Sequence, residues 1–248
     1  MVFSNILGTI AFLTILPVGR SAKTYELENI SKNMFLFPVI GAVIGIITLP
    51  IAIASSYFFN QYIAAFIITI FLIVLTGIHH TDALADFADG MMVKGNKEKK
   101  YQVMHDPRIG SAGAVAISGY ILGMILAISS ISGIDRLIMA IIVSEIVAKY
   151  SMVLKAFYSN SAWDGYSSQF TKNMKSKKKF CIATIITALL VASLSYTDPL
   201  IGIQILVIGL ICSLIVIYIS NKNLGGITGD VMGATNEIVR LVSLISLA

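Results

Sequence analysis

"AAFIITIFLIVLTGIHHTDALADFADG", residues 64–90, joins two stretches of opposite character. No Asp, Glu, Lys or Arg occurs from Gln61 to Ile78, and then three aspartates and two histidines fall between His79 and Gly90. The uncharged half is long enough to cross most of a bilayer as a helix, since a hydrocarbon core needs roughly 20 apolar residues. The whole chain agrees. Its 248 residues are 56% hydrophobic and 12% charged, with a mean hydropathy of +0.86. Soluble domains carry about 25% charged residues. Half that charge cannot coat a globule in water, so a soluble protein is excluded and an integral membrane protein is indicated.

Only helices and closed barrels satisfy their own backbone in lipid. The apolar runs here are long and continuous, which favours helices. The fold class expected is therefore all-α: a multi-pass transmembrane helical bundle forming a single integral membrane domain over 1–248. Full spans are read near 34–56, 63–80, 112–131, 137–157, 180–196 and 200–220. The shorter apolar segments 2–16 and 238–248 are ambiguous, so about seven spans are expected, within six to eight. The N-terminal twenty residues lack the basic region and small-residue cleavage site of a signal peptide. Cys181 and Cys212 lie inside apolar runs and read as small buried hydrophobes, with no disulfide or zinc framework.

Basic residues set the orientation. Segments 17–33, 81–111, 158–179 and 221–240 hold 15 of the 18 Lys and Arg. The short connections between them hold only Arg136. By the positive-inside rule the four long loops face the cytoplasm. This accounts for a pI near 9.1 without nucleic acid, and "KSKKK" at 175–179 reads as an interface anchor. The acidic run of the opening stretch then sits at the inner membrane surface.

Three polar clusters share that side. In "HHTDALADFADG", Asp82, Asp86 and Asp89 are spaced four and three apart, on one helical stripe. Like charges at these spacings repel, so a cationic partner is expected. All-oxygen ligands suit Mg²⁺, with Mn²⁺ as the alternative, better than zinc. In "MHDPRIGSAGA", 104–114, Asp106-Pro107 starts a turn, Arg108 offers a phosphate fork, and Gly110 opens the next helix with free N–H groups. In "NLGGITGDVMGATNE", 223–237, four glycines fall within nine residues, in company with Asp230 and Glu237. The spacing Gly77…Asp82…Asp89 recurs as Gly225…Asp230…Glu237, as though two acidic helix starts faced one site. Pro38, Gly41 and Gly45 in "FPVIGAVIG" read as a kink and a small-xxx-small packing face. Glu145 and Lys149 are placed to pair inside a span. Trp163 reads as an interfacial anchor.

Clustered aspartates, an arginine turn and glycine-rich loops suit Mg²⁺-dependent chemistry on a pyrophosphate. Two rivals remain at this level. One is an ion-coupled transporter, whose coupling residues belong near mid-membrane. The other is a different membrane phosphotransferase acting on a nucleotide-diphosphate alcohol.

"LTILPV", "FPVIGAVIG", "HTDALADFADG", "HDPRIGSAGA" and "GGITGDVMGATNE", in this order over nearly the whole chain, resemble the cobalamin synthases, the adenosylcobinamide-GDP ribazoletransferases. The resemblance implies an inner-membrane, Mg²⁺-dependent enzyme with its active site on the cytoplasmic face. A hydroxyl of α-ribazole, or of its 5′-phosphate, would attack the cobinamide-side phosphate of adenosylcobinamide-GDP and release GMP. Membrane lipid is the other expected partner, and a homo-oligomer is left open. Carried over position by position, the resemblance marks His80, Asp82, Asp86, Asp89, Asp106, Arg108, Gly110, Gly225, Gly226, Thr228, Gly229 and Asp230. Thr81 and Ala83 depart from the apolar residue and glycine common in the family, and Lys149 stands where arginine is common. The expected roles are metal for Asp82, Asp86, Asp89 and Asp230; phosphate or substrate contact for Arg108, the glycines, Thr228 and Glu237; and base chemistry among Asp106, His80 and Asp89.

Overall fold

A computed structural model describes residues 2–17 and 27–248, so the basic residues Arg20 and Lys23 of the first long loop lie outside the described residues. The described chain is helical. Its one extended pairing is a single parallel bridge between Ser161 and Ile227. In order the helices are α1 (Val2–Leu13), α2 (Leu27–Lys32), α3 (Phe37–Phe58), α4 (Gln61–Leu75), α5 (His79–Met92), α6 (Lys97–Met104), α7 (Ser111–Ser130), α8 (Ile134–Tyr158), α9 (Tyr166–Met174), α10 (Lys177–Leu194), α11 (Pro199–Leu224) and α12 (Gly229–Ile245).

Among the described residues, four helices suffice by length and composition to cross a membrane: α3 with the 3-10 turn before it, α7, α8 and α11. A fifth crossing requires α4 and α5 together, and those two meet at 90°. This accounts for the difference from about seven. α1 and α4 have 12 and 15 residues, short of a span. α10 opens on Lys177, Lys178 and Lys179, which shortens its apolar part. Segment 238–248 holds the second half of α12 and the three residues after it, and the first half of α12 carries Asp230 and Glu237.

α8 forms the centre. It packs against α3, α12, α10 and α11, and 94% of its apolar window is buried, against 28% for α7 and 39% for α11. The outer helices thus turn much of their apolar surface outward, as lipid-facing helices do. α3 reaches α8 through the two expected glycines. A Cβ at Gly41 would lie 2.5 Å from the Glu145 carbonyl oxygen, and one at Gly45 would lie 2.7 Å from Ile142 Cα. Pro38 makes no kink; it occupies the first turn of α3, where its missing N–H costs nothing. Gly41→Ala should lower stability by about 1–3 kcal/mol by forcing α3 off α8, read as a drop in thermal midpoint in detergent.

The four basic segments gather at one end. Ser161 pairs with Ile227, Tyr101 packs edge-on against Trp163, and Asn173 donates to Ser31. Loops far apart in sequence therefore share one surface.

Candidate active site

Why α5 leaves the line of α4 is visible at the junction. Gly77 and Ile78 both have positive φ, +75° and +64°. A β-branched residue in that region is strained. The chain turns there and starts a new helix at His79, directly ahead of the acidic run.

Between its aspartates α5 carries small and apolar residues, and these seat it. Ala83 meets α12 at Gly233, where a Cβ would lie 2.7 Å from the alanine Cβ. Ala85 meets α7 at Gly113, where a Cβ would lie 3.1 Å from the Ala85 carbonyl oxygen. Leu84 and Phe87 are buried as well. Held between α12 and α7, α5 turns its acids toward the gathered loops.

The three acids part company. Asp89 accepts hydrogen bonds from Gly110 N at 2.7 Å and Gly113 N at 2.9 Å. α7 has no side-chain cap of its own, so Asp89 caps it from another helix, with its charge against the positive end of the helix dipole. The N–H groups expected to await a phosphate at Gly110 are therefore spent on a carboxylate of the same chain. Asp89→Asn keeps the shape but loses a charge and one acceptor; it should cost about 1 kcal/mol of stability, visible in thermal unfolding.

Asp82 and Asp86 instead face Asp230 at the start of α12. Burial raises the Asp86 carboxyl to about 6, with Asp230 and Asp82 adding to the shift and His105 opposing it. Asp230 is also raised, mainly by burial, against the opposing influence of His105. Three depressions meet here. One of about 580 Å³ is bordered by His80, Asp82, Phe170 and Asp230. A second of about 370 Å³ shares Asp82 and adds Asp86, His105 and Asp106. A third of about 140 Å³ shares Asp230 and His105 and adds Tyr101 and Trp163. Trp163 thus stands at the cleft rim, edge-on to Tyr101, beyond the anchoring role expected of it. Another depression, about 430 Å³ between Gln61 and Leu137, borders no ionisable side chain and offers no comparable chemistry.

Among the described residues no three His, Cys, Asp or Glu groups already stand in ligating positions. Mg²⁺, however, is usually held by one or two carboxylates together with substrate phosphates and water. Asp82, Asp86 and Asp230 repel one another across an open cleft, where burial and mutual repulsion outweigh the opposing influence of His105 on Asp86 and Asp230. That deficit of positive charge fits a hard cation.

Asp106 is held by Arg108, which donates from Nε at 2.9 Å and Nη2 at 2.8 Å, while the Arg108 backbone N–H also bonds it. These bonds bring the Asp106 carboxyl down to about 2. So held, Asp106 is a weak proton acceptor, while the Arg108 side chain is 86% exposed at the mouth of the cleft. The glycine run also divides. Gly225 ends α11 with φ +83°, and Gly226 passes the chain against Asn160–Ala162, where a side chain would collide. Both are explained by the backbone turn. Thr228 caps α12 by accepting from Val231 N, and Gly229 and Asp230 remain on the cleft.

Glu237 lies elsewhere than expected. It is fully buried, as are Glu145, Lys149, Asn236 and Arg240. Arg240 donates to Glu237 Oε2 at 2.5 Å and to Tyr120 Oη at 2.9 Å, and pairs through Nε and Nη2 with Glu145. Lys149 stands 3.9 Å from Glu145, the expected pairing, and donates to Asn236 Oδ1 at 2.8 Å. Asn236 Nδ2 bonds Glu237 Oε1 at 2.9 Å and stands 3.3 Å from His80 Nδ1. The network therefore runs from the bundle core to the floor of the cleft. Arg240 and Asn236 were not singled out from sequence, and Arg240 counts there among the loop cations. The recurring glycine–acid spacing survives in altered form. In each copy the first acid, Asp82 or Asp230, faces the cleft, and the second, Asp89 or Glu237, is bonded internally.

These features define a membrane-embedded helical protein with an acid-lined cleft at the end where its polar loops converge. The family model described as cobalamin-5-phosphate synthase matches residues 5–248, and the chain belongs to that family. Among its relatives, the adenosylcobinamide-GDP ribazoletransferase of Clostridium tetani (strain Massachusetts / E88) is 32% identical over 97% of this chain and 94% of its own. Those of Thermoanaerobacter sp. (strain X514) and Pyrococcus abyssi (strain GE5 / Orsay) are 31% and 32% identical, over 94% and 96% of this chain and 92% and 94% of their own. No solved structure matches.

Proposed function

We infer that the cleft joining Asp82, Asp86 and Asp230 is where adenosylcobinamide-GDP meets α-ribazole or its 5′-phosphate, and that the transfer there depends on Mg²⁺, or on Mn²⁺ in its place. The activity is that of the family, adenosylcobinamide-GDP ribazoletransferase, the late joining step of cobalamin synthesis. A ribazole hydroxyl attacks the cobinamide-side phosphorus, the bond to the GMP oxygen breaks, and the hydroxyl proton passes to a base. The single observation that carries this reading is the convergence of acids from α5 and α12 on one open cleft.

Asp82, Asp86 and Asp230 are the residues that would hold the cation together with the bridging phosphates. Bound there, it would offset phosphate charge and stabilise the leaving group. Arg108, exposed at the mouth, is placed to guide the nucleotide phosphates, and Gly229 presents backbone to them. The gathering of the basic loops at the cleft end supports a position on the cytoplasmic face of the inner membrane.

Protein reconstituted in lipid, given adenosylcobinamide-GDP and α-ribazole, should form cobalamin, seen by absorbance and mass, with GMP in equal amount. Chelating the metal should stop both, and Mg²⁺ should restore them. No product from these substrates, with turnover of a lipid nucleotide, would favour the other phosphotransferase reading.

A further inference from the structure

We propose that His80 serves the reaction as a hydrogen-bond donor through Nε2, and that Asn236 and Lys149 are the positioning residues that keep its proton there. The proposal rests on the cleft being the site of transfer. His80 is at first sight a candidate base, and the network beneath it points the other way.

The logic runs outward from the bundle core. Asn236 has one accepting and one donating end. Lys149 Nζ lies 2.8 Å from Oδ1, and Glu237 Oε1 lies 2.9 Å from Nδ2. Flipping the amide would set its NH₂ against the lysine and its oxygen against a carboxylate, so the two neighbours together fix its orientation. Nδ2 has a second hydrogen, and His80 Nδ1 lies 3.3 Å away. A donor facing Nδ1 makes that nitrogen the acceptor, and the ring proton belongs on Nε2.

The competing arrangement has the opposite chemistry. In a His–carboxylate pair, Nδ1–H donates to the acid and Nε2 is left as a base. Glu237 is the only carboxylate paired with His80 among the described residues, but its Oε1 stands 3.7 Å from Nδ1, beyond a hydrogen bond. Oε1 is taken by Asn236, and Oε2 by Arg240 at 2.5 Å. Asn236 thus stands between the imidazole and the acid. His80 borders the cavity shared with Asp82 and Asp230, and the hydrogen-bond contact of its ring within the protein is made at Nδ1, to Asn236. An Nε2–H there suits a phosphate oxygen, whose charge grows as the GMP bond breaks.

Two measurements test this on the full chain in lipid bilayers. The chain has three histidines, so ring-¹⁵N labelling gives three sets of signals. The set lost in His80→Gln identifies His80, and spectra of His79→Gln and His105→Gln assign it independently should that variant not fold. Before any substrate is added, His80 should show a protonated Nε2 and a bare Nδ1, and Asn236→Asp should move the proton to Nδ1. In turnover, His80→Gln places an amide donor near the Nε2 position and should stay within about tenfold of the parent, whereas His80→Phe should fall by about 100-fold or more, the usual cost of a lost donor to developing charge. The loss should appear in kcat more than in KM. A protonated Nδ1 in the parent protein, or a His80→Gln enzyme as slow as His80→Phe, overturns the proposal. The tautomer is read without substrate, so a parent protein that makes no cobalamin would defeat the functional reading and leave this result standing by itself.

Discussion

Asp86→Asn should release GMP at least about 100-fold more slowly than the parent at saturating Mg²⁺, while folding as well or better. The substitution keeps shape and removes one charge. Loss of a cation's full grip on a transferring phosphate is worth several kcal/mol of barrier, and each 1.36 kcal/mol is tenfold in rate. Stability should move the other way. The Asp86 carboxyl is raised to about 6 by burial, then by Asp230 and Asp82. In the unfolded chain it titrates near about 3.9. A raised acid binds more protons in the folded state, so its ionisation destabilises the fold. That cost is absent below about pH 4, grows until about pH 6 and stays constant above. The thermal midpoints of the parent and Asp86→Asn, measured in chelator, should therefore separate between these values, with the variant higher at neutral pH. Adding Mg²⁺ should close the gap by raising the parent alone. Near-parental turnover in Asp86→Asn would sink the assignment of Asp86 to metal. Asp89→Asn provides the contrast: it should lose stability through the α7 cap and retain more of its turnover.

That contrast marks where sequence reasoning stops. Spacing along one helix places Asp82, Asp86 and Asp89 on one stripe correctly, because helical geometry is local. Which neighbour each acid meets is set by packing. Asp89 finds an N-terminus 21 residues onward, while Asp86 finds Asp230 on the last helix. The continuous apolar runs fix the helices for the same local reason, and Gly41 and Gly45 announce a close helix approach without naming α8 as the partner. Span number is harder, since a 15-residue helix followed by a 90° turn has the composition of a span without its geometry. Arg240 is the clearest failure. A cation beyond a glycine-rich loop reads as solvent-facing, and nothing nearby in sequence reveals that its acid Glu145 lies 95 residues upstream on α8.

Arg240→Leu should leave the protein poorly folded, with a loss of about 3–5 kcal/mol, enough to consume much of the roughly 5–15 kcal/mol by which a protein is stable. The reason is what remains, not the contact removed. Arg240 is the common partner of Glu145 and Glu237, both with no exposed side-chain surface, and it also holds Tyr120. Without it two carboxylates stay buried with Lys149 as the nearest cation, 3.9 Å from Glu145. Arg240→Lys should recover only part of the loss, because a point charge cannot reproduce a planar fork that reaches Glu145, Glu237 and Tyr120 together. Neutralising both acids in the Arg240→Leu background, by Glu145→Gln and Glu237→Gln, should restore stability relative to Arg240→Leu alone. Such a non-additive gain is expected for residues of one network and is read from thermal midpoints in detergent. A simple sum of losses would mean that Arg240 contributes packing rather than charge. The network joins α7, α8 and α12 directly below His80, so the same core that holds the bundle together also sets the floor of the cleft.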